Sequence, residues 1–268
     1  MEVPPGIDPT KAHPSRRYNY WLGGKDNFAV DRESAGVVAS AFPTVALSAR
    51  ENRAFLKRVV TYLAGEAGIR QFLDIGTGLP SAGNVHEVAQ SIEPTSRIVY
   101  VDNDPVVLVH ARALLTSEPA GRTAYIQADL RDPDKILADA ELARTLDMSR
   151  PVALMLVATM HFITDDHDPY DIVARLLAAL PSGSHLVMTH ATKDHLTAEE
   201  YAYSVEANER SGVPFRLRSR DEFTRFFDGL ELLPPGVTSV VEWRPEVPEE
   251  ERPSVEDVSM LCAVARVP

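Results

Sequence analysis

The sequence predicts an α/β protein: a doubly wound, Rossmann-like sheet, mostly parallel, with an antiparallel C-terminal strand pair and a helical lid segment before the core. Three observations predict it. Short apolar runs alternate with stretches of helical periodicity from residue 71 to residue 189, the pattern of a parallel sheet covered on both faces. The first run ends in a glycine turn, Leu73-Asp74-Ile75-Gly76-Thr77-Gly78-Leu79-Pro80. Acidic residues close three successive runs, at Asp74, Asp102 and Asp129.

Residues 1–14 carry Pro4, Pro5, Pro9 and Pro14 and read as an irregular arm. Residues 15–28 are aromatic, basic and glycine-bearing. Over 48–64, Phe55, Leu56, Val59, Val60 and Leu63 recur at helical spacing, Ser48 and Glu51 stand in capping-box register, and Gly65 and Gly68 act as stops. Core strands are expected at 71–75, 97–101, 123–127, 152–157 and 185–189. Helices are expected at 83–91, 105–115, 168–180, 197–211 and 219–228, and residues 133–146 are expected to contain helix. Residues 237–243 and 259–267 read as the closing antiparallel pair, with the acidic, proline-containing stretch 245–253 as their loop. Crossovers between parallel strands should be right-handed. No internal repeat or low-complexity tract is visible. Residues 1–268 therefore read as one domain, with 1–66 as arm, lid and helix and 67–268 as core.

Bulk composition bounds the function. The chain has 268 residues, 44% of them hydrophobic, enough for one large core. Thirty-nine acidic residues against 27 basic ones give a net charge of −12. Such a surface repels phosphate backbones and disfavours bulk nucleic acid as a partner. Cys262 is the single cysteine, so intramolecular disulfides and cysteine metal clusters are excluded. The start of the chain lacks the charged end and apolar run of a signal peptide. The longest strongly apolar stretch, 152–160, is too short to cross a bilayer. No membrane contact is expected, and a cytoplasmic location follows.

The glycine turn and the three acids define a candidate ligand site. In an open parallel sheet, ligands bind at the carboxyl ends of the strands, where strand order reverses. Glycine permits the tight turn and close backbone approach. A carboxylate at Asp102 suits the two hydroxyls of a ribose. Asp129 suits an adenine amine, with Leu130 against the ring. A dinucleotide fingerprint needs a third glycine leading into a helix, so that pyrophosphate meets helix N–H groups. Ser81 occupies that position and Pro80 interrupts the entry. Asp74 would repel a pyrophosphate, whereas it suits the ammonium of a methionine moiety. The set points to S-adenosylmethionine, with S-adenosylhomocysteine as product. Asp102, Asn103 and Asp104 could instead be turn and cap residues ahead of Pro105; Asp104 suits that role.

These motifs resemble the class I S-adenosylmethionine-dependent methyltransferases. More closely, the chain resembles a bacterial family of S-adenosyl methyltransferases of unassigned substrate. The resemblance rests on Tyr18-Asn19-Tyr20-Trp21-Leu22-Gly23-Gly24-Lys25-Asp26-Asn27-Phe28, on residues 72–80 running into Gly83-Asn84-Val85-His86-Glu87-Val88-Ala89-Gln90, on Tyr100-Val101-Asp102-Asn103-Asp104-Pro105, and on Phe226-Phe227-Asp228-Gly229-Leu230. It spans nearly the whole chain. Ala158-Thr159-Met160-His161-Phe162 also fits the family's pattern. The likeness implies fold and cofactor but no acceptor.

The expected cofactor-binding set is Asp74, Gly76, Thr77, Gly78, Asp102, Asn103, Asp129, Leu130 and Ala158, with Tyr20, Gly23 and Lys25 from the N-terminal segment. That segment reads either as a lid over the cofactor, with aromatics against the sulfonium, or as a strap packed on the sheet. Asn52 and Arg53 could reach the same pocket, though each alone reads as a solvated helix face.

Methyl transfer from a sulfonium needs positioning above all, and a base only where the acceptor must lose a proton early. His161, after the fourth core strand, is the candidate base, or else a buried, backbone-bonded histidine. His190 is a weaker second candidate, and His86 reads as a structural hydrogen-bonder. His161, Asp165, Asp166, His167 and Asp168 are too close in sequence to converge on one ion, so no metal is expected. The last four read as caps for the helix near Pro169. The acceptor is expected to be a small molecule facing residues 15–28 and 190–215, where Tyr201, Tyr203, Glu206 and Arg210 recur at helical spacing. That stripe could equally be helix surface or a dimer contact. Either a monomer or a homodimer is compatible. A non-catalytic S-adenosylmethionine-binding protein and an NAD-dependent oxidoreductase are the competing functions.

Overall fold

A computed structural model describes residues 7–114 and 117–268. Pro4 and Pro5 of the predicted arm, and Leu115 at the end of the predicted second core helix, lie outside the described residues. Three helices precede the sheet: α1 (Pro14–Trp21), α2 (Ala29–Ala41) and α3 (Val45–Gly65). Strand–helix units follow as β1 (Gln71–Ile75), α4 (Val85–Ile92), β2 (Arg97–Asp102), α5 (Pro105–Leu114), β3 (Arg122–Gln127), α6 (Pro133–Leu137), α7 (Ala140–Thr145), β4 (Ala153–Leu156), α8 (Pro169–Ala178) and β5 (His185–Ala191). The chain ends with α9 (Ala198–Arg210), α10 (Arg220–Thr224), β6 (Glu231–Leu232), β7 (Thr238–Ser239), α11 (Val255–Val258) and β8 (Met260–Arg266).

The sheet runs β3-β2-β1-β4-β5-β8-β6, with β7 also paired to β8. The first five strands are parallel, and β8 runs antiparallel to β5, β6 and β7. Side chains alternate between two cores, as a period of two requires. Leu73, Ile75, Val99, Val101, Leu154 and Leu156 enter one core with α8. Phe72, Ile98, Tyr100, Ala153 and Met155 enter the other with α3 and α4. Both faces are covered, which is why these strands read as unbroken apolar runs. No helix of the described residues is long and apolar enough to cross a membrane.

The expected α/β architecture is present, with local corrections. α3 begins at Val45, so Ser48 lies buried inside the helix rather than capping it. The helix expected within 133–146 is present as two, α6 and α7, because the Asp139 side chain accepts the Glu141 N–H (2.8 Å) and starts a new one. Asp168 adopts φ 49° ahead of Pro169 and makes no side-chain cap, while Asp165 pairs with Arg216 and Arg218 instead. The strand expected over 237–243 pairs only at Thr238 and Ser239. Beyond them the chain turns inward, with the Ser239 carbonyl accepting from Glu242 N (3.0 Å), and Val240, Val241 and Trp243 go into the core.

Trp243 is fully buried, edge-on to Phe55 (5.4 Å) and Tyr62 (5.8 Å), and its indole N–H has no partner. Trp243→Ala should cost roughly 3–5 kcal/mol in urea unfolding. Trp243→Phe should cost distinctly less, because no hydrogen bond is lost with the indole. Equal losses for the two variants would contradict this account of the packing.

Candidate functional site

Strand order reverses at β1, which lies between β2 and β4. A cavity of about 310 Å³ opens there, at the carboxyl ends of these strands. Its floor is the glycine turn. Gly76 has φ 76°, and its N–H donates to the Val101 carbonyl at 2.7 Å. A Cβ on Gly76 would sit 2.5 Å from the Thr159 side chain, whose hydroxyl donates to the Ile75 carbonyl at 3.1 Å. Only glycine accommodates both the backbone sign and this approach. Asp102 accepts from the N–H groups of Gly78 (2.8 Å) and Asp104 (2.9 Å), joining the turn to the end of β2.

Of the expected cofactor set, Asp74, Gly76, Thr77, Gly78, Asp102, Asn103, Asp129, Leu130 and Ala158 all line this cavity. Burial raises the Asp74 carboxyl to about 7, offset by the charge of Arg53 and a hydrogen bond from Thr77, with Asp102 adding to the rise. Burial also raises Asp102, against the Asp104 N–H, His13 and the Gly78 N–H. Arg131 grips Asp129, holding its carboxyl at about 2 despite partial burial. A base amine would share that carboxylate with a guanidinium.

Tyr20, Gly23 and Lys25 do not join the set. All three are exposed and off the cavity. The N-terminal segment contributes Ala12, His13, Pro14, Ser15 and Tyr18 instead, as a roof. His13 caps α1, contacting the Ser15 hydroxyl through Nδ1 (2.7 Å) and Asn103 Oδ1 through Nε2 (3.1 Å). Pro14 at the first helical position was the available signal for this cap. Asn52, which is buried, and Arg53, which is half-buried, both line the cavity. Asn52 donates to the Tyr18 hydroxyl (2.9 Å), which donates to the Ala49 carbonyl (2.9 Å). Arg53 holds the carbonyls of Ala82 and Gly83.

Buried charge ties the roof down. Arg16 is 4% exposed, with Nε 3.2 Å from Asp104 and Nη1 3.6 Å from Asp31. Neither contact has hydrogen-bond alignment, so the attraction is Coulombic. Asp31 also accepts from the N–H groups of His13 (2.9 Å) and Phe28 (2.8 Å). Asp104 accepts from the Ser15 hydroxyl (3.2 Å) and, as the expected cap of α5, from Val106 N (3.0 Å).

His161 lies in a second cavity, of about 100 Å³, that shares Tyr18, Ala158 and Phe162 with the first. Its Nδ1 faces the Ala191 N–H at 3.4 Å, and Phe215 and Phe162 pack on its ring. Burial pushes its pKa well below 6.5, with the charges of His190, Arg17 and Arg218 adding to this. His190 lines neither cavity. Its ring bridges the Ala191 carbonyl (2.7 Å) and Arg218 (2.9 Å), and burial lowers its pKa to about 3. His86 bonds the Tyr100 hydroxyl (2.8 Å), the structural role expected of it. On α9 the cavity-lining face is Ser204, Ala207 and Asn208 rather than Tyr201, Tyr203, Glu206 and Arg210. Tyr201 accepts from Arg216 (2.9 Å), and Tyr203 is exposed.

An open parallel sheet with an acid at each of three adjacent strand ends, around a glycine turn, defines the class of S-adenosylmethionine-dependent methyltransferases. The chain belongs to the S-adenosyl methyltransferase family, whose sequence model it matches over residues 1–268. It is similar to a DUF574 family protein from Streptomyces avermitilis MA-4680, with 46% identity, 96% of this chain and 98% of that one covered, and a TM-score of 0.92. It is also similar to a protein from Thermobifida fusca YX whose methyltransferase assignment is provisional, with 41% identity, 98% of each chain covered and a TM-score of 0.90. At 17% identity, the Haloferax volcanii protein crystallised with the Trm112 methyltransferase activator shares the fold alone, with a TM-score of 0.50 over 86% of this chain and 97% of that one. No curated protein matches the chain.

Arg16→Met would leave two buried carboxylates without their cation. It should destabilise the protein by about 3–5 kcal/mol and speed proteolytic cleavage within residues 13–28. A variant as stable and protease-resistant as the parent would show that the pairing does not hold the roof.

Proposed function

We propose that the chain, as a single domain, transfers the methyl group of S-adenosylmethionine to a small-molecule acceptor. The cofactor would lie across the larger cavity. The observation that carries this reading is the row of Asp74, Asp102 and Asp129 along one cleft floored by Gly76 and Gly78. Asp74 takes the ammonium of the methionine moiety. Asp102 takes the ribose hydroxyls with the lone pairs its two backbone N–H bonds leave free. Leu130 supports the adenine and Asp129 its amine. Asn103, Thr77 and Ala158 complete the wall.

The sulfonium supplies an activated methyl carbon. An acceptor lone pair bonds to that carbon, the carbon–sulfur bond breaks with its electron pair going to sulfur, and any acceptor proton leaves to water. The protein holds the two reactants in line and at near-attack distance. NAD fits the cleft poorly. The first helix after the glycine turn starts at Val85, behind its own Asn84–Glu87 capping box, so no helix N-terminus meets the turn.

Calorimetric titration with S-adenosylhomocysteine and NAD tests the donor. The expected result is binding of the sulfur nucleotide and none of NAD; the reverse would overturn the proposal. Asp102→Ala should weaken S-adenosylhomocysteine by about tenfold or more, since charge-assisted hydrogen bonds are lost. Unchanged affinity would remove Asp102 from the ribose site.

The pH dependence has a defined sign. Asp74 holds its proton up to about 7, and an ammonium binds its carboxylate. Affinity should therefore rise as pH climbs through 7, with proton release on binding, and fall below it. Asp74→Asn should bind weakly and without this pH dependence. A flat profile for the parent between about pH 6 and pH 8, an interval set about that midpoint, would contradict the assignment.

A further inference from the structure

The second cavity holds a buried cation with no acid of its own. Arg17 lines it and is 1% exposed. One of its nitrogens, Nη1, reaches the hydroxyls of Ser34 (3.3 Å) and Ser211 (3.1 Å). Its Nε is buried without a partner, as is the indole nitrogen of Trp21, which lines the same cavity. Two serine hydroxyls satisfy little of a guanidinium with five N–H donors. Among the described residues no carboxylate lies within ion-pair distance of Arg17. Asp31, whose field it feels, is committed to Arg16 and to two backbone N–H groups. Burial lowers the Arg17 pKa to about 10, so the side chain keeps its charge at neutral pH, and its contacts with the Trp21 ring (5.6 Å) and the Phe162 ring (5.9 Å) offset only part of the desolvation cost. The remaining lining is mostly apolar and aromatic. The cavity meets the cofactor cleft where Tyr18, Ala158 and Phe162 line both.

We propose that this cavity is the acceptor subsite and that the acceptor is a small carboxylate with an apolar, single-ring-sized body, its anionic group paired with Arg17. The inference rests on the cofactor occupying the larger cavity, because only then does the shared neck face the methyl group. Charge fixes the anionic group. A buried guanidinium pairs with carboxylate through parallel N–H bonds, and its unpartnered Nε supplies one of them. Volume fixes the body. A cavity of about 100 Å³ is smaller than the apolar cavities of ~150 Å³ that hold benzene, so it admits no body larger than one ring, with part of the acceptor lying where Tyr18, Ala158 and Phe162 line both cavities. With the carboxylate on Arg17, the methyl-accepting atom lies toward Ala158.

Benzoate and its neutral isostere benzamide are the probes, titrated into the full chain saturated with S-adenosylhomocysteine. Benzoate should bind at least about tenfold more tightly than benzamide, as expected for charge-assisted hydrogen bonds. Arg17→Gln should abolish that preference and Arg17→Lys should retain part of it. Equal affinities, or no binding of either probe, would overturn the inference, and that comparison needs no variant to fold. So would a preference that survives in folded Arg17→Gln. The preceding S-adenosylhomocysteine titration separates the two readings. A chain that binds this nucleotide but shows no preference for benzoate refutes the acceptor class alone. A chain that fails to bind it refutes the cofactor assignment.

Discussion

Arg16, buried between Asp104 and Asp31, is the constraint on which the site depends. Asp104 belongs to the turn after β2 and Asp31 to the first turn of α2, so one guanidinium ties both to α1. Removing any member would strand charge in a medium that solvates it poorly. The pairing therefore sets where α1 lies, and α1 carries the roof of both cavities. Tyr18, two positions on, lines both cavities where they meet, and Arg17 lines the smaller one. The sheet provides the cleft; this cluster of charge closes it.

The core was legible because its signals are local. Each parallel strand is buried on both faces and reads as an apolar run, and the glycine turn needs φ values that only a few residues adopt. The acids at Asp74, Asp102 and Asp129 stand out for the same reason: a carboxylate ending an apolar strand is expensive without a use. The edge of the sheet was less legible. Val240, Val241 and Trp243 have strand composition, but burial in the second core satisfies them as well as a ladder would.

The N-terminal segment shows where motif reading fails. Tyr20, Gly23 and Lys25 belong to a distinctive stretch, yet helical geometry decides which of its residues face the cleft. Pro14, Ser15 and Tyr18 follow the i, i+1, i+4 spacing of one helix face and line the cleft, while Tyr20, two residues beyond Tyr18, is rotated by about 200° away from it. The second cavity was illegible for a different reason. Arg17, Ser48, His161, Asn208 and Ser259 come from five separate parts of the chain, and nothing local marks any of them as sharing a wall.

With the acceptor in the second cavity, as proposed, the lining also bears on how the acceptor loses its proton. Three titratable side chains line it among the described residues: Arg17, Tyr18 and His161. Arg17 is a cation and has no lone pair with which to accept a proton. The Tyr18 hydroxyl both donates and accepts, and burial raises its pKa. His161 is neutral at physiological pH, and the lone pair on Nδ1 faces the Ala191 N–H, so its proton lies on Nε2. In that tautomer it can donate but not abstract. Base catalysis by the wall is therefore disfavoured, and the accepting atom must arrive with its lone pair available. The field of Arg17 keeps the acceptor's own carboxylate ionised, because a fixed cation stabilises the deprotonated form, and the accepting atom lies away from it. In the proposed complex the fixed charge therefore anchors the acceptor, and the accepting atom brings its own lone pair to the methyl group.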